Sequence, residues 1–272
     1  MRRLPASAKL NLSLVVGPTR PDGKHEVATV LQRIDLTDRI SLNTAPALRV
    51  TGFVDDTLVE RALRLIAEAG GVEPRWQAHI RKRIPVAAGL GGGSSDAATA
   101  LRLANETLEG PLAIDALRAL AASLGADVPF FLAPGPQLGE GDGTSLTPLD
   151  LPQDYWVVLV LPAKETKVST EAVYRTFDER RGDEGFAARK ARLLEELRTV
   201  RRPRDLARLP PNDLTSSPLA EELVRLGAFR ADVSGAGPTI YGLFHHRDRA
   251  RAAARALRAE GRTWLSVPAW YF

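Results

Sequence analysis

The stretch "PVAAGLGGGSSDAA" (residues 85–98) decides how the rest of the chain is read. Four of the five residues from 89 to 93 are glycine, and Ser94, Ser95 and Asp96 follow. Glycine loses more backbone freedom on folding than any other residue, so this density needs a reason. The flanks narrow the choice. "WQAHIRKRIP" (76–85) alternates apolar and polar residues as a strand does. "DAATALRLANETL" (96–108) sets Ala97, Leu101, Ala104 and Leu108 on one helical face. A flexible linker does not join strand to helix so directly, and a structural turn needs fewer glycines. No lysine follows the glycines, which excludes a P-loop, and Ser94 stands at the third glycine position of a dinucleotide fingerprint counted from Gly89. What is left is an anion-binding loop. Gly91, Gly92 and Gly93 bare the backbone, and Ser94, Ser95 and Asp96 fall in the first turn of a helix whose N–H groups and dipole favour negative charge. A plainer reading stands beside it, in which Ser95 or Asp96 only caps the helix. Asp96 suits the capping role better, because a carboxylate repels a triphosphate.

The chain has 272 residues, 44% apolar and 26% charged, enough for one large or two modest units with a soluble composition. It contains no cysteine, which excludes disulfides and thiolate metal sites and agrees with a reducing, cytoplasmic setting. "MRRLPASAKLNLSLVV" (1–16) is interrupted by Lys9, Asn11 and Ser13 and does not read as a signal peptide. No apolar run reaches the length of a membrane span. The net charge of +4 is mild. The densest basic segment, "RKARLLEELRTVRRPRD" (189–205), mixes in Glu195 and Glu196, has apolar residues at helical spacing and reads as a solvated helix face rather than a nucleic-acid patch.

Period-two alternation over residues 4–14 predicts a half-buried strand, with Ser7, Lys9, Asn11 and Ser13 on its polar side. "TRPDGKHE" (19–26) is a turn, and strand-like pieces continue over 27–43. Helices are predicted over 56–70, with Asp56 in the first turn and Gly70 at the end, and over 114–124, 169–179, 186–200 and 247–260. Buried or paired strands are predicted at 155–162, on both sides of a Gly-rich turn in 229–244, and at 263–272. The polar, Pro- and Gly-rich stretch 133–154 suggests a boundary near 150, with units 1–150 and 151–272. Several polar residues carry two readings each. Asp127 in "GADVP" is a base shielded by "VPFFL", or the cap of a short helix. Lys9 is a functional cation or a solvated edge lysine. His25 reads as exposed, Tyr174 as core, and 234–237 as a plain hairpin turn.

The glycine loop resembles the nucleotide loop of the GHMP kinases. "ASAKLNLSL" (6–14) is similar to that family's N-terminal Lys/Asn strand, and "SGAGPTIYGLF" (234–244) to its C-terminal Gly-rich motif. The segments "PDGKHEVATVLQRIDLTDRI" (21–40), "LGADVPFFL" (124–132), "VSTEAVYRTFD" (168–178) and "NDLT" (212–215) are similar to the branch that phosphorylates a cytidine diphosphate-linked methylerythritol. The resemblance implies an α+β, two-domain GHMP kinase fold. Its N-terminal domain would be ribosomal-protein-S5-like, its C-terminal domain ferredoxin-like, and its active site would lie in the cleft between them. It implies a cytoplasmic kinase that uses ATP with phosphate-bound Mg²⁺, no protein metal site, a small-molecule substrate, no nucleic acid or membrane partner, and a monomer or weak homodimer. It implies Asp127 as base and Lys9 beside it. ATP would be bound by Pro85, Val86, Ala87, Ala88, Gly89, Leu90, Gly91, Gly92, Gly93, Ser94 and Ser95, with Thr57 and Leu58 near the adenine. Asn11, Lys24, His25, Thr170, Tyr174, Gly235 and Ala236 would bind the substrate, His25 reading the cytosine. Two positions depart from the family. Lys24 replaces an aromatic residue that stacks on the base, and Thr57 stands where asparagine is common. The alternatives are a homoserine- or mevalonate-type kinase, or a non-catalytic ATP-binding sensor of the same fold.

Overall fold

The computed structural model describes residues 1–53, 57–163 and 169–269. The first sheet is built around two long strands, β1 (Arg2–Thr19) and β2 (His25–Thr44), paired antiparallel across the 19–26 turn. The strand-like pieces over 27–43 are thus one continuous strand. The other edge of β2 is shared: its outer half pairs with β4 (Trp76–Arg81) and its first half with β5 (Gln137–Gly141). The short β3 (Arg49–Thr51) lies parallel to β4, and β6 (Ser145–Pro148) closes a hairpin with β5. That hairpin occupies the stretch read as a boundary, whose glycines hide the strand pattern.

Three helices cover one face of this sheet: α1 (Thr57–Ala69), α2 (Gly92–Asn105) and α3 (Ile114–Leu124). Their apolar sides meet Ala6, Leu31, Ile40, Leu42, Ala78 and Ile80 in one core. Asp56, placed by sequence in the first turn of α1, lies outside the described residues. The second sheet is antiparallel, ordered β10 (Gly261–Ser266), β7 (Trp156–Pro162), β9 (Ile240–Phe244) and β8 (Arg230–Val233). Helices α6 (Pro218–Arg225) and α7 (Arg247–Ala256) pack on its outer face with Val158, Val160, Ile240 and Phe244. Its inner face meets the free face of the first sheet. There Leu10, Leu12, Val15 and Ile34 share a core with Val157, Leu159, Tyr241 and Leu243. Two further helices, α4 (Thr170–Glu179) and α5 (Phe186–Thr199), flank this junction. α5 buries only Leu193, as expected of a solvated helix. Residues 270–272 of the last predicted strand, and Val168 of the segment quoted with α4, lie outside the described residues.

The sequence pattern made β1 half-buried. The structure buries both its sides: Lys9 and Asn11 are each 4% exposed and Ser13 is fully buried. The second sheet covers one side, and the glycine loop closes over the other.

Candidate active site

The glycine loop reaches its helix earlier than the periodicity implied. α2 starts at Gly92 rather than near 96, because Gly91 adopts a left-handed conformation (φ 67°) at the N-cap. No side chain caps this end. The capping reading of Ser95 and Asp96 therefore fails. The N–H groups of the first turn are left for another acceptor, the arrangement that suits an anionic group. A Cβ on Gly89 would lie 2.2 Å from the Ser234 carbonyl oxygen, and one on Gly91 would lie 2.9 Å from Lys9 Cγ. Only a bare backbone fits between these neighbours. The loop is also tied to the two motifs it faces. Lys9 N–H donates to the Leu90 carbonyl (2.9 Å), Thr239 N–H to that of Ala88 (3.3 Å) and Ser234 Oγ to that of Gly89 (3.0 Å). The three glycine- and lysine-bearing segments are one structural unit.

Three adjoining cavities form a continuous groove along this unit. The first, about 340 Å³, is lined by Pro85 through Ser94 together with Phe53, Thr57, Leu58 and Lys82. The middle one, about 390 Å³, is walled by Lys9, Asn11 and Asp127 from one side and by Thr170, Tyr174, Gly235 and Ala236 from the other. It shares Ala87, Gly89, Gly91 and Ser94 with the first. The third, about 470 Å³, is bounded by Lys24, His25, Glu171, Tyr174 and Asp178, and shares Asp142, Thr170 and Tyr174 with the middle one. Every predicted site residue lines this groove except Ser95. That side chain is 1% exposed and lies in none of the three cavities, because the early helix start turns it inward.

At the centre, Lys9 Nζ lies 3.3 Å from Asp127 Oδ2 and donates to Asn11 Oδ1 at 2.7 Å. The lysine is buried and the carboxylate is partly open to the groove. Asn11 is fixed in turn: its Nδ2 donates to Thr29 Oγ1 (2.8 Å), whose hydroxyl donates to the Ser13 carbonyl (2.8 Å). Lys9 and Asn11 share a strand face because they are two residues apart. Asp127 follows the turn at Gly125, which ends α3. The short 3₁₀ helix Pro129–Leu132 is preceded by Val128 and has no side-chain cap, so Asp127 does not cap it. The solvated reading of Lys9 falls as well.

In the third cavity His25 Nε2 lies 2.7 Å from Asp178 Oδ1. The imidazole is tilted over Tyr174 (centroids 4.8 Å apart) and meets Phe177 edge-on. The exposed reading of His25 is therefore replaced by a ring held between α4 and the 19–26 turn. Burial, with the Asp127 carboxylate adding to it, pushes the Tyr174 phenol up to about 12. Lys24 Nζ donates to Asp142 Oδ2 at 2.6 Å. Partial burial would raise the Asp142 carboxyl, but hydrogen bonds from Lys24 and Thr144 outweigh it and hold the group at about 2.

Lys82 is among the charged residues of the groove that the sequence reading did not single out, with Asp142, Glu171, Arg175 and Asp178. Lys82, just past β4, donates to Asp38 on β2 (2.6 Å) and to Asp96 on α2 (2.8 Å), both fully buried. Burial disfavours its charge, yet the two carboxylates more than compensate and raise its pKa. Its partners lie 44 and 14 residues away, so no local pattern marks it. Among the described residues no group of three or more His, Asp or Glu converges to hold a metal. No helix among them is long and apolar enough to cross a membrane.

The GHMP kinases N terminal domain family matches residues 57–135, and the GHMP kinases C terminal family matches residues 215–263. Over 267 residues the chain is 39% identical to the 4-diphosphocytidyl-2-C-methyl-D-erythritol kinase of Anaeromyxobacter sp. (strain Fw109-5), covering 94% of this chain and 86% of that one. The crystal structure of a 4-(cytidine 5'-diphospho)-2C-methyl-D-erythritol kinase superposes with a TM-score of 0.79 at 33% identity, covering 98% of this chain and 99% of that one. A mevalonate kinase superposes with a TM-score of 0.76 at 14% identity, covering 98% of this chain and 99% of that one, a likeness of fold alone.

Proposed function

The chain belongs to the GHMP kinases and, within them, to the 4-diphosphocytidyl-2-C-methyl-D-erythritol kinases, and on that footing we propose that it transfers the γ-phosphoryl group of ATP to the 2-hydroxyl of that cytidyl substrate along the groove described above. The activity is that of an ATP-dependent small-molecule kinase of the non-mevalonate isoprenoid route. The observation that carries the assignment of sites is the continuity of the three cavities, with Lys9 and Asp127 in the middle one. Adenosine would occupy the cavity at Thr57 and Leu58, and the triphosphate would lie on the uncapped start of α2. The methylerythritol unit would sit against Asn11 and Asp127, and the cytosine between His25 and Tyr174.

Phosphoryl transfer depends on alignment and on neutralising charge. Asp127 accepts the proton of the substrate hydroxyl as that oxygen bonds to the γ-phosphorus and the bond to the β-phosphate oxygen breaks, releasing ADP. Lys9 lies against that carboxylate and faces the negative charge on the transferring group. Asn11 holds Lys9 in place. Ser94, which lines the groove beside the loop, is the residue that would hold a phosphate-bound Mg²⁺, and such an ion would supply charge neutralisation. We read the chain as a monomer or weak homodimer, since the whole groove is built within one copy.

The test is a substrate panel with ATP. Phosphorylation of the cytidyl substrate, with none of homoserine or mevalonate, is expected. Turnover of homoserine or mevalonate without the cytidyl substrate would overturn the assignment.

A further inference from the structure

Lys82 faces the nucleotide end of the groove but is engaged by two carboxylates. Asp38 is anchored on its other oxygen by the N–H groups of Arg83 and Ile84, so it fixes the chain just past β4. Asp96 lies in α2, four residues after the helix begins. The ammonium thus joins β2, β4 and α2 at the point where the glycine loop becomes a helix. Gly92 makes this approach possible: a Cβ there would stand 3.3 Å from Lys82 Nζ and 3.1 Å from Ile84 Cγ2.

The charge balance is what gives this arrangement a consequence. Asp96 is a buried anion close to the backbone N–H groups that receive phosphates. A lone carboxylate there would oppose a polyanion through a low-dielectric interior, where charges act strongly. Two buried carboxylates would oppose it more. We propose that Lys82 is a positioning residue for the triphosphate: it locks the start of α2 to β2 and offsets one of the two carboxylate charges beneath the loop, so that the loop favours a polyphosphate over an uncharged nucleoside. This rests on the assignment of the loop as the triphosphate cradle.

The readout is the ratio of affinities for a non-hydrolysable ATP analogue and for adenosine, by calorimetry at fixed Mg²⁺. A structural role alone moves both affinities together, whereas a charge role moves the ratio. Lys82→Met removes the ammonium that bridges the two carboxylates, and the analogue's advantage should fall by about tenfold or more. Asp96→Asn keeps the shape and an acceptor oxygen while removing one negative charge, so the advantage should rise several-fold. The double variant carries the wild-type charge balance, and its ratio should return close to the wild-type value. Should Lys82→Met not fold, as judged by circular dichroism, the rise in Asp96→Asn carries the test alone. An unchanged ratio in Asp96→Asn, or equal losses for both ligands in Lys82→Met, would overturn the proposal. A wild-type protein that binds the analogue no better than adenosine would instead remove the triphosphate cradle itself.

Discussion

Lys24 sets the charge on one wall of the groove. It lines the third cavity as an ammonium paired with Asp142. The Tyr174 ring lies against His25 in the same cavity. The pair of Lys24 and Asp142 also has a pH consequence. Asp142 is held at about 2, below the ordinary carboxylate value of 3.8. Its contribution to stability is therefore fully present above about pH 4 and is lost as pH falls toward 2. In Lys24→Met the hydrogen bond from Thr144 survives, so the Asp142 carboxyl should rise by roughly one unit, followed by carboxyl-carbon NMR. A titration unchanged from wild type would show that Lys24 does not hold this group. The local role of His25 was not legible as a residue in a turn, because Asp178, its partner, lies 153 residues away.

At the scale of elements, the glycine loop and the 234–239 turn act as one piece. Gly89 has φ 77°, and its missing Cβ leaves room for the Ser234 carbonyl. Gly89→Ala should force the two segments apart at a cost of about 1–3 kcal/mol. It should weaken ATP binding along with thermal stability. Melting and calorimetry on the same preparation would check this, and wild-type values for both would show that the close approach is not needed. Much of this unit could be read from sequence. Glycine density between a strand and a helix, without a following lysine, pointed to an anion loop. The alternation of β1 placed Lys9 and Asn11 on one face. The helix start was misplaced because glycine has no helical preference to read, yet a left-handed Gly91 begins α2 four residues early. The β5–β6 hairpin was missed for a similar reason: its glycines and prolines resemble a linker, and only pairing with β2 makes it a sheet.

Across the whole molecule, the two sheets share a buried apolar core. Leu10, Leu12 and Val15 from β1 pack with Val157 and Leu159 of β7 and with Tyr241 and Leu243 of β9. Leu151 and Tyr155, beside the suggested boundary near 150, belong to that same core. We infer that a division into 1–150 and 151–272 is topological and that neither part is stable alone, because an apolar interface of this kind binds units rigidly. Chemical denaturation followed by fluorescence and by circular dichroism should give one coincident transition. Two separate transitions would show independent units. Leu12→Ala, fully buried between the sheets, should lower stability by about 2–5 kcal/mol. The shared core matters for function because Lys9 and Asn11 are on the strand whose opposite face it clamps.

We propose that Asp127, beside Lys9 between the two ends of the groove, takes the hydroxyl proton during phosphoryl transfer. Asp127→Asn keeps the side chain's shape and removes its basicity. The most direct measurement pairs ATP-analogue affinity with turnover of the cytidyl substrate in that one variant. Affinity should stay close to wild type while kcat falls by about 10²–10⁴-fold. Turnover at the wild-type rate would contradict the account.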